Sequence, residues 1–140
     1  MNIDSIQNGV VLDHIQAGKS MEIYKHLNLD KLDCSVAIIK NVRSARHGKK
    51  DIIKIDSPLE LDLDVLGYID PNITVNIIKN GVRVEKKHLA LPTRLVNVIH
   101  CHNPRCITVA EPQLDAIFTL SDPEKRIYRC AYCETASDKK

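Results

Sequence analysis

The chain has 140 residues, 44% of them apolar and 27% charged, with a formal net charge of +2. That length fits one domain or two small ones around a modest core, and the composition excludes intrinsic disorder. No apolar run approaches the roughly 18 residues of a membrane span, and the start Met1-Asn2-Ile3-Asp4 lacks the basic and apolar regions of a signal peptide, so a cytoplasmic protein is expected.

In chain order, Gly9 to Ile15 carries Val10-Val11-Leu12 and reads as a buried strand that Asp13 and His14 end. Ser20 is placed to cap a short helix presenting Ile23, Tyr24 and Leu27 on one face. Cys34 to Lys40 and Ile52 to Ile55 are β-rich runs joined by a charged loop. Within the second run, alternation sets Ile53 and Ile55 on one face and Lys54 on the other, where a lysine needs a partner or an open surface. Ser57-Pro58 opens a second helix through Leu59, Leu63 and Leu66, ending at Gly67. Thr74 to Ile78 and Val82 to Val84 flank Asn80-Gly81, whose tolerance of positive φ suits a two-residue hairpin. The order strand, helix, strand, strand, helix, strand, strand predicts an α+β domain: a mostly antiparallel sheet with two helices on one face.

Pro92 lacks the donor that a continuing strand would need, so the domain boundary is set there, giving domains 1–92 and 93–140. The remainder shows short strand-like pieces, Leu95 to Ile99, Ala116 to Leu120 and Ile127 to Arg129, and reads as a small all-β module. The tail from Ser137 to Lys140 reads as frayed.

Of five cysteines, Cys34 stands alone, while Cys101, Cys106, Cys130 and Cys133 form Cys-x4-Cys and Cys-x2-Cys pairs. In a reducing compartment such pairs point to metal rather than disulfides. Four thiolates close a tetrahedral shell around one structural zinc ion and leave no position for substrate water. Iron is the chemical rival, and His100 and His102 are substitute ligands. Four thiolates on a divalent cation also cancel the small positive excess, so global charge does not argue for nucleic acid.

Lys40, Arg43, Arg46, Lys49, Lys50 and Lys54 face one acid, Asp51, and such a stretch could meet phosphates, although a solvated charged loop accounts for most of them singly. Gly18-Lys19-Ser20 is not a P-loop, because the required earlier glycine would fall on Asp13. No nucleophile, base or paired-carboxylate arrangement can be assembled from the spacing, so catalysis has no support.

Taken together, Gly9-x3-Asp13-His14-Ile15, Lys50-Asp51-x2-Lys54-Ile55, Thr74-Val75-Asn76, Leu91-Pro92 and the four-cysteine ending resemble the regulatory chain of aspartate carbamoyltransferase over nearly the whole sequence. The resemblance implies a non-catalytic chain whose N-terminal allosteric domain binds the nucleoside triphosphates CTP, UTP and ATP and pairs with a second regulatory chain. It implies a zinc domain that contacts the catalytic chain, and control of the first committed step of pyrimidine biosynthesis. Carried over by position, Ile3, Asp4, Ile6, Val11, Asp13, His14, Lys54, Asn76, Ile78 and Lys86 would bind nucleotide, and Asn103 and Glu134 would meet the catalytic chain. Gly81 departs from a frequent aromatic, Arg83 from an apolar residue, Ser5 from alanine and Arg105 from a polar residue. The competing expectation is a zinc-ribbon nucleic-acid-binding protein; one Phe and four Tyr offer it little base-stacking surface. Neither nucleic acid nor membrane is expected as a partner.

Overall fold

A computed structural model of the chain describes residues 6–45 and 48–137. The chain divides into two compact units, Met1–Ala90 and Leu91–Lys140. Unit one runs β1 (Gly9–Gln16), α1 (Ser20–His26), a 3-10 turn (Leu29–Lys31), β2 (Val36–Ser44), β3 (Gly48–Ile55), α2 (Leu63–Ile69), β4 (Thr74–Lys79) and β5 (Val82–His88). The five strands form one sheet in the order β2-β3-β1-β4-β5, every neighbouring pair antiparallel. Alternation explains the layering: Val10, Leu12, Ile53, Ile55 and Val75 are buried on one face, and their side chains form the core with Ile23 of α1 and Leu66 and Ile69 of α2. Each such aliphatic contributes about 1.5–3 kcal/mol on burial. The residues between them, Val11, Ile52 and Lys54, are only half-buried and belong to the opposite face.

Four local expectations are corrected. β1 does not stop at Asp13 and His14; a bulge between Leu12 and Ile15 carries the strand on to Gln16, with His14 in a left-handed conformation at φ 59°. The charged loop after Lys40 is largely strand, because β2 also contains a bulge, between Ile39 and Val42, that re-registers it on β3. Ser20 is the first, buried residue of α1 and makes no cap bond. Finally, α2 starts at Leu63, where the Asp62 carboxylate accepts from the N–H groups of Asp64 (3.0 Å) and Val65 (3.3 Å), and it runs through Gly67 to Ile69.

Both bulges lie opposite β3 at Asp51, which is fully buried. Its carboxylate accepts from the Asn41 N–H (3.0 Å) and the Gly18 N–H (3.1 Å). Burial alone would raise its pKa, but those N–H groups and the adjacent Ser20 outweigh it and hold the carboxyl below the usual carboxylate range. Asp51, singled out from sequence only as the lone acid among bases, is therefore a structural anchor.

Unit two contains a three-stranded antiparallel sheet, β6 (Arg94–Val96), β7 (Ile117–Asp122) and β8 (Ile127–Cys130), in that order. Leu95, Ala116, Phe118 and Tyr128 fill its small core with Cys106 and Cys130. The buried Tyr128 hydroxyl donates to the Pro92 carbonyl at 2.6 Å. One short helix, α3 (Ile107–Ala110), follows Cys106. Its β-branched sequence hid it from pattern reading, because the local fold and not propensity closes the turn.

Candidate metal centre and effector face

The four paired cysteines converge. Their Sγ atoms all lie within 4.8 Å of one another, with Cys101 and Cys133 3.6 Å apart and Cys106 and Cys130 3.7 Å apart. A tetrahedral thiolate shell with bonds of about 2.3 Å requires S···S separations of about 3.8 Å, so the quartet fits a four-coordinate ion. One thiol of each pair comes from the loop before α3 and the other from the end of β8 or the turn after it. The Asn103 N–H points to Cys101 Sγ (3.5 Å), and Thr108 and Thr135 hydroxyls lie 3.0 and 3.2 Å from Cys106 and Cys133 Sγ. Burial pushes Cys101 up to about 12 and holds Cys130 above the usual thiol range. The Thr135 hydroxyl and N–H bring Cys133 down to about 6, and Thr108 lowers Cys106 in the same way. Among the described residues no other side-chain group has metal-binding geometry, and His100 and His102 stand outside the quartet.

Asn103 and Glu134 flank these two turns. The Asn103 carboxamide donates to Thr135 Oγ1 (3.2 Å) and accepts from the Arg105 N–H (3.1 Å), tying one turn to the other. Glu134 is exposed at φ 65°, and its carbonyl accepts from Arg129 Nη1 at 3.1 Å.

In unit one, the sheet register brings four sequence-predicted residues into one row on the face away from the helices. Val11 pairs with Lys54 on one side and Asn76 on the other, and Asn76 pairs with Lys86. Asn76 is 9% exposed; its Nδ2 donates to the Val11 carbonyl at 3.3 Å, while its Oδ1 has no partner among the described residues. Two residues further along, Ile78 pairs with Gly9, against which the Ile6 side chain lies. In the other direction the bulge presents Asp13 and His14. Asp13 pairs with Lys50 at 2.9 Å; burial would raise its pKa, but Lys50 and His14 outweigh that and lower it. His14 Nδ1 lies 3.0 Å from Thr74 Oγ1. A cavity of about 560 Å³ opens beside them, lined by His14, Gln16, Lys49, Asp70 and Asn72. Sequence reasoning named Lys50 only within a basic stretch that could meet phosphates and did not find Thr74; strand pairing through the bulge is what places both on this face. Ile3 and Asp4, and with them Ser5, Arg46 and most of the C-terminal tail, lie outside the described residues.

Residues 1–90 match the family model for the aspartate carbamoyltransferase regulatory chain, allosteric domain, and residues 93–140 match that for the metal binding domain of the same chain. The chain belongs to the aspartate carbamoyltransferase regulatory chain family. A relative of that name from Clostridium botulinum (strain Hall) is 50% identical over 134 residues, covering 96% of this chain and 92% of its own. Similar relatives occur in Clostridium tetani (47% over 135 residues, 96% and 94% covered) and Bifidobacterium longum (45% over 134 residues, 96% of each). The regulatory chain is thus a non-catalytic subunit with an allosteric and a metal-binding domain, and its family implies a catalytic chain as partner. Among the described residues, no helix is long and apolar enough to cross a membrane.

Proposed function

We propose that this regulatory chain binds CTP, UTP and ATP across the Lys54, Val11, Asn76 and Lys86 row and holds one structural zinc ion on Cys101, Cys106, Cys130 and Cys133. The observation that carries the nucleotide reading is the Oδ1 of Asn76, which has no partner among the described residues, in a residue nine-tenths buried and set by the register between strands that carry Lys54 and Lys86. A buried acceptor without a donor costs about 1–3 kcal/mol, which a ligand N–H or O–H would recover. Ile6, Asp13, His14 and Ile78 border the same face, and Ile3 and Asp4 belong with them by position in the family.

The zinc reading rests on sulfur spacing and on a donor set without an open position, so the ion holds the 93–140 unit together and supplies no chemistry. Asn103 and Glu134 sit on the metal-bearing turns, which suits contact with the catalytic chain. Pairing with a second regulatory chain is supported by β2, a sheet edge bordered by the apolar side chains of Met21, Tyr24, Leu32, Val36 and Ile38. In this reading the chain acts in the cytoplasm on the first committed step of pyrimidine biosynthesis. A nucleotide shifts the catalytic chains between affinity states only by as much as its own affinity differs between those states.

The test is calorimetric titration of the zinc-loaded chain with CTP and ATP. Saturable binding is expected, weakened about tenfold or more by Lys54→Ala and by Lys86→Ala, because each removes a charge-assisted contact. Equal affinity in wild type and both variants would overturn the assignment.

A further inference from the structure

The sheet face described above is chemically graded along β1. Toward its C-terminal end lie Lys50 and Lys49, beside the Lys54 and Lys86 row. Toward its N-terminal end lie Gly9, Ile78 and Ile6, with Arg83 on the outer strand opposite Ile78. A triphosphate belongs at the lysine-rich end. The planar, largely apolar base belongs at the isoleucine end, where a guanidinium such as that of Arg83 stacks on rings as readily as it pairs with phosphate.

At that end the chain has a device of its own. Gly81 has φ +76° and no side chain, and its N–H donates to the Gln7 carbonyl at 2.9 Å, while the Asn80 N–H donates to Asn8 Oδ1 at 3.2 Å. These bonds pin the 7–8 segment to the hairpin tip. The Gln7 carboxamide then lies over Gly81, its Oε1 3.0 Å and its Cδ and Nε2 3.6 Å from where a Cβ at 81 would stand. Among the described residues no hydrogen bond engages either end of that amide, and Gln7 is exposed. A side chain at 81 would be strained at this φ, and its Cβ would press on the Gln7 amide and make it shift.

We infer that the Gln7 carboxamide, seated in the space Gly81 leaves open, reads the edge of the bound nucleotide's base. The inference rests on the proposed nucleotide site. A carboxamide offers a carbonyl acceptor and two N–H donors, so by rotating it pairs with an amino-bearing base such as cytosine or a keto-bearing base such as uracil. Discrimination between CTP and UTP by this group is therefore weak in the wild type. An ionised carboxylate in its place only accepts, which at the base's 4-position suits the cytosine amino group and repels the uracil carbonyl.

The experiment is calorimetric titration of the zinc-loaded full-length chain and its Gln7→Glu variant with CTP, UTP and inorganic tripolyphosphate. The CTP to UTP affinity ratio is expected to rise about tenfold in the variant. Tripolyphosphate, which has no base, reports any general effect of the added charge. A ratio that is unchanged, or that moves toward UTP, while both nucleotides still bind the variant overturns the role of Gln7 and leaves the nucleotide site standing. If the wild type binds neither nucleotide, the site itself fails and the inference falls with it.

Discussion

Replacing Asp51 with Asn exchanges one carboxylate oxygen for an amide NH2, a donor where a buried oxygen accepts a backbone N–H. The native carboxylate takes one N–H from Asn41 at 3.0 Å and one from Gly18 at 3.1 Å, at a fully buried position. The amide keeps one acceptor, now neutral, and opposes the other N–H with a donor of its own. Losing one charge-assisted bond and weakening the second costs about 3 kcal/mol. With a urea dependence of about 2 kcal/mol per molar, the midpoint for unit one should fall by about 1.5 M. The pH dependence has a definite sign. Because the folded pKa of Asp51 is lowered, the advantage of wild type over Asp51→Asn is complete above the unfolded carboxylate range near about 4 and disappears as pH falls through the folded value. Urea melts that follow unit one, of the metal-loaded chain at pH 7 and of the chain at pH 3, where protonation of the four thiols releases the metal from unit two, measure both effects. Midpoints at pH 7 within about 0.3 M of each other would refute the view that Asp51 anchors the two bulges.

Chelating the metal should unfold residues 93–137 while the β1 to β5 sheet persists, read by hydrogen exchange resolved along the chain; equal protection in both units with and without chelator would contradict this. Tyr128→Phe leaves the buried Pro92 carbonyl without its 2.6 Å donor, so unit two should lose about 1–2 kcal/mol, seen as a lower thermal midpoint in the metal-loaded protein. Gly9→Ala drives a Cβ into the Ile55 carbonyl oxygen, with Ile6 Cγ2 and Ser57 N also within about 3.0 Å, and should destabilise unit one by more than about 2 kcal/mol in urea unfolding.

Several features of this fold could be read directly from residues. Alternation in Ile52-Ile53-Lys54-Ile55 set the face of Lys54 correctly, because one face is buried and register is then strongly constrained. Asn80-Gly81 marked its hairpin, with both residues at positive φ. The bulges at Asp13-His14 and before Val42 were not legible, since a bulge is decided by the partner strand and neither segment carries a glycine to announce it. The start of α2 could have been found: Asp62 is a good N-cap residue, but the leucine periodicity extending back to Leu59 drew the boundary too early. At the metal centre, spacing identified the four sulfurs, whereas the hydroxyls of Thr108 and Thr135 beside them follow from turn geometry that spacing does not encode.

The row formed by Lys54, Val11, Asn76 and Lys86 belongs to four different strands, one residue from each. A molecule gripping that row would act as a cross-brace over β3, β1, β4 and β5, resisting the sliding of each of these strands past its neighbour and leaving the edge strand β2 outside its grip.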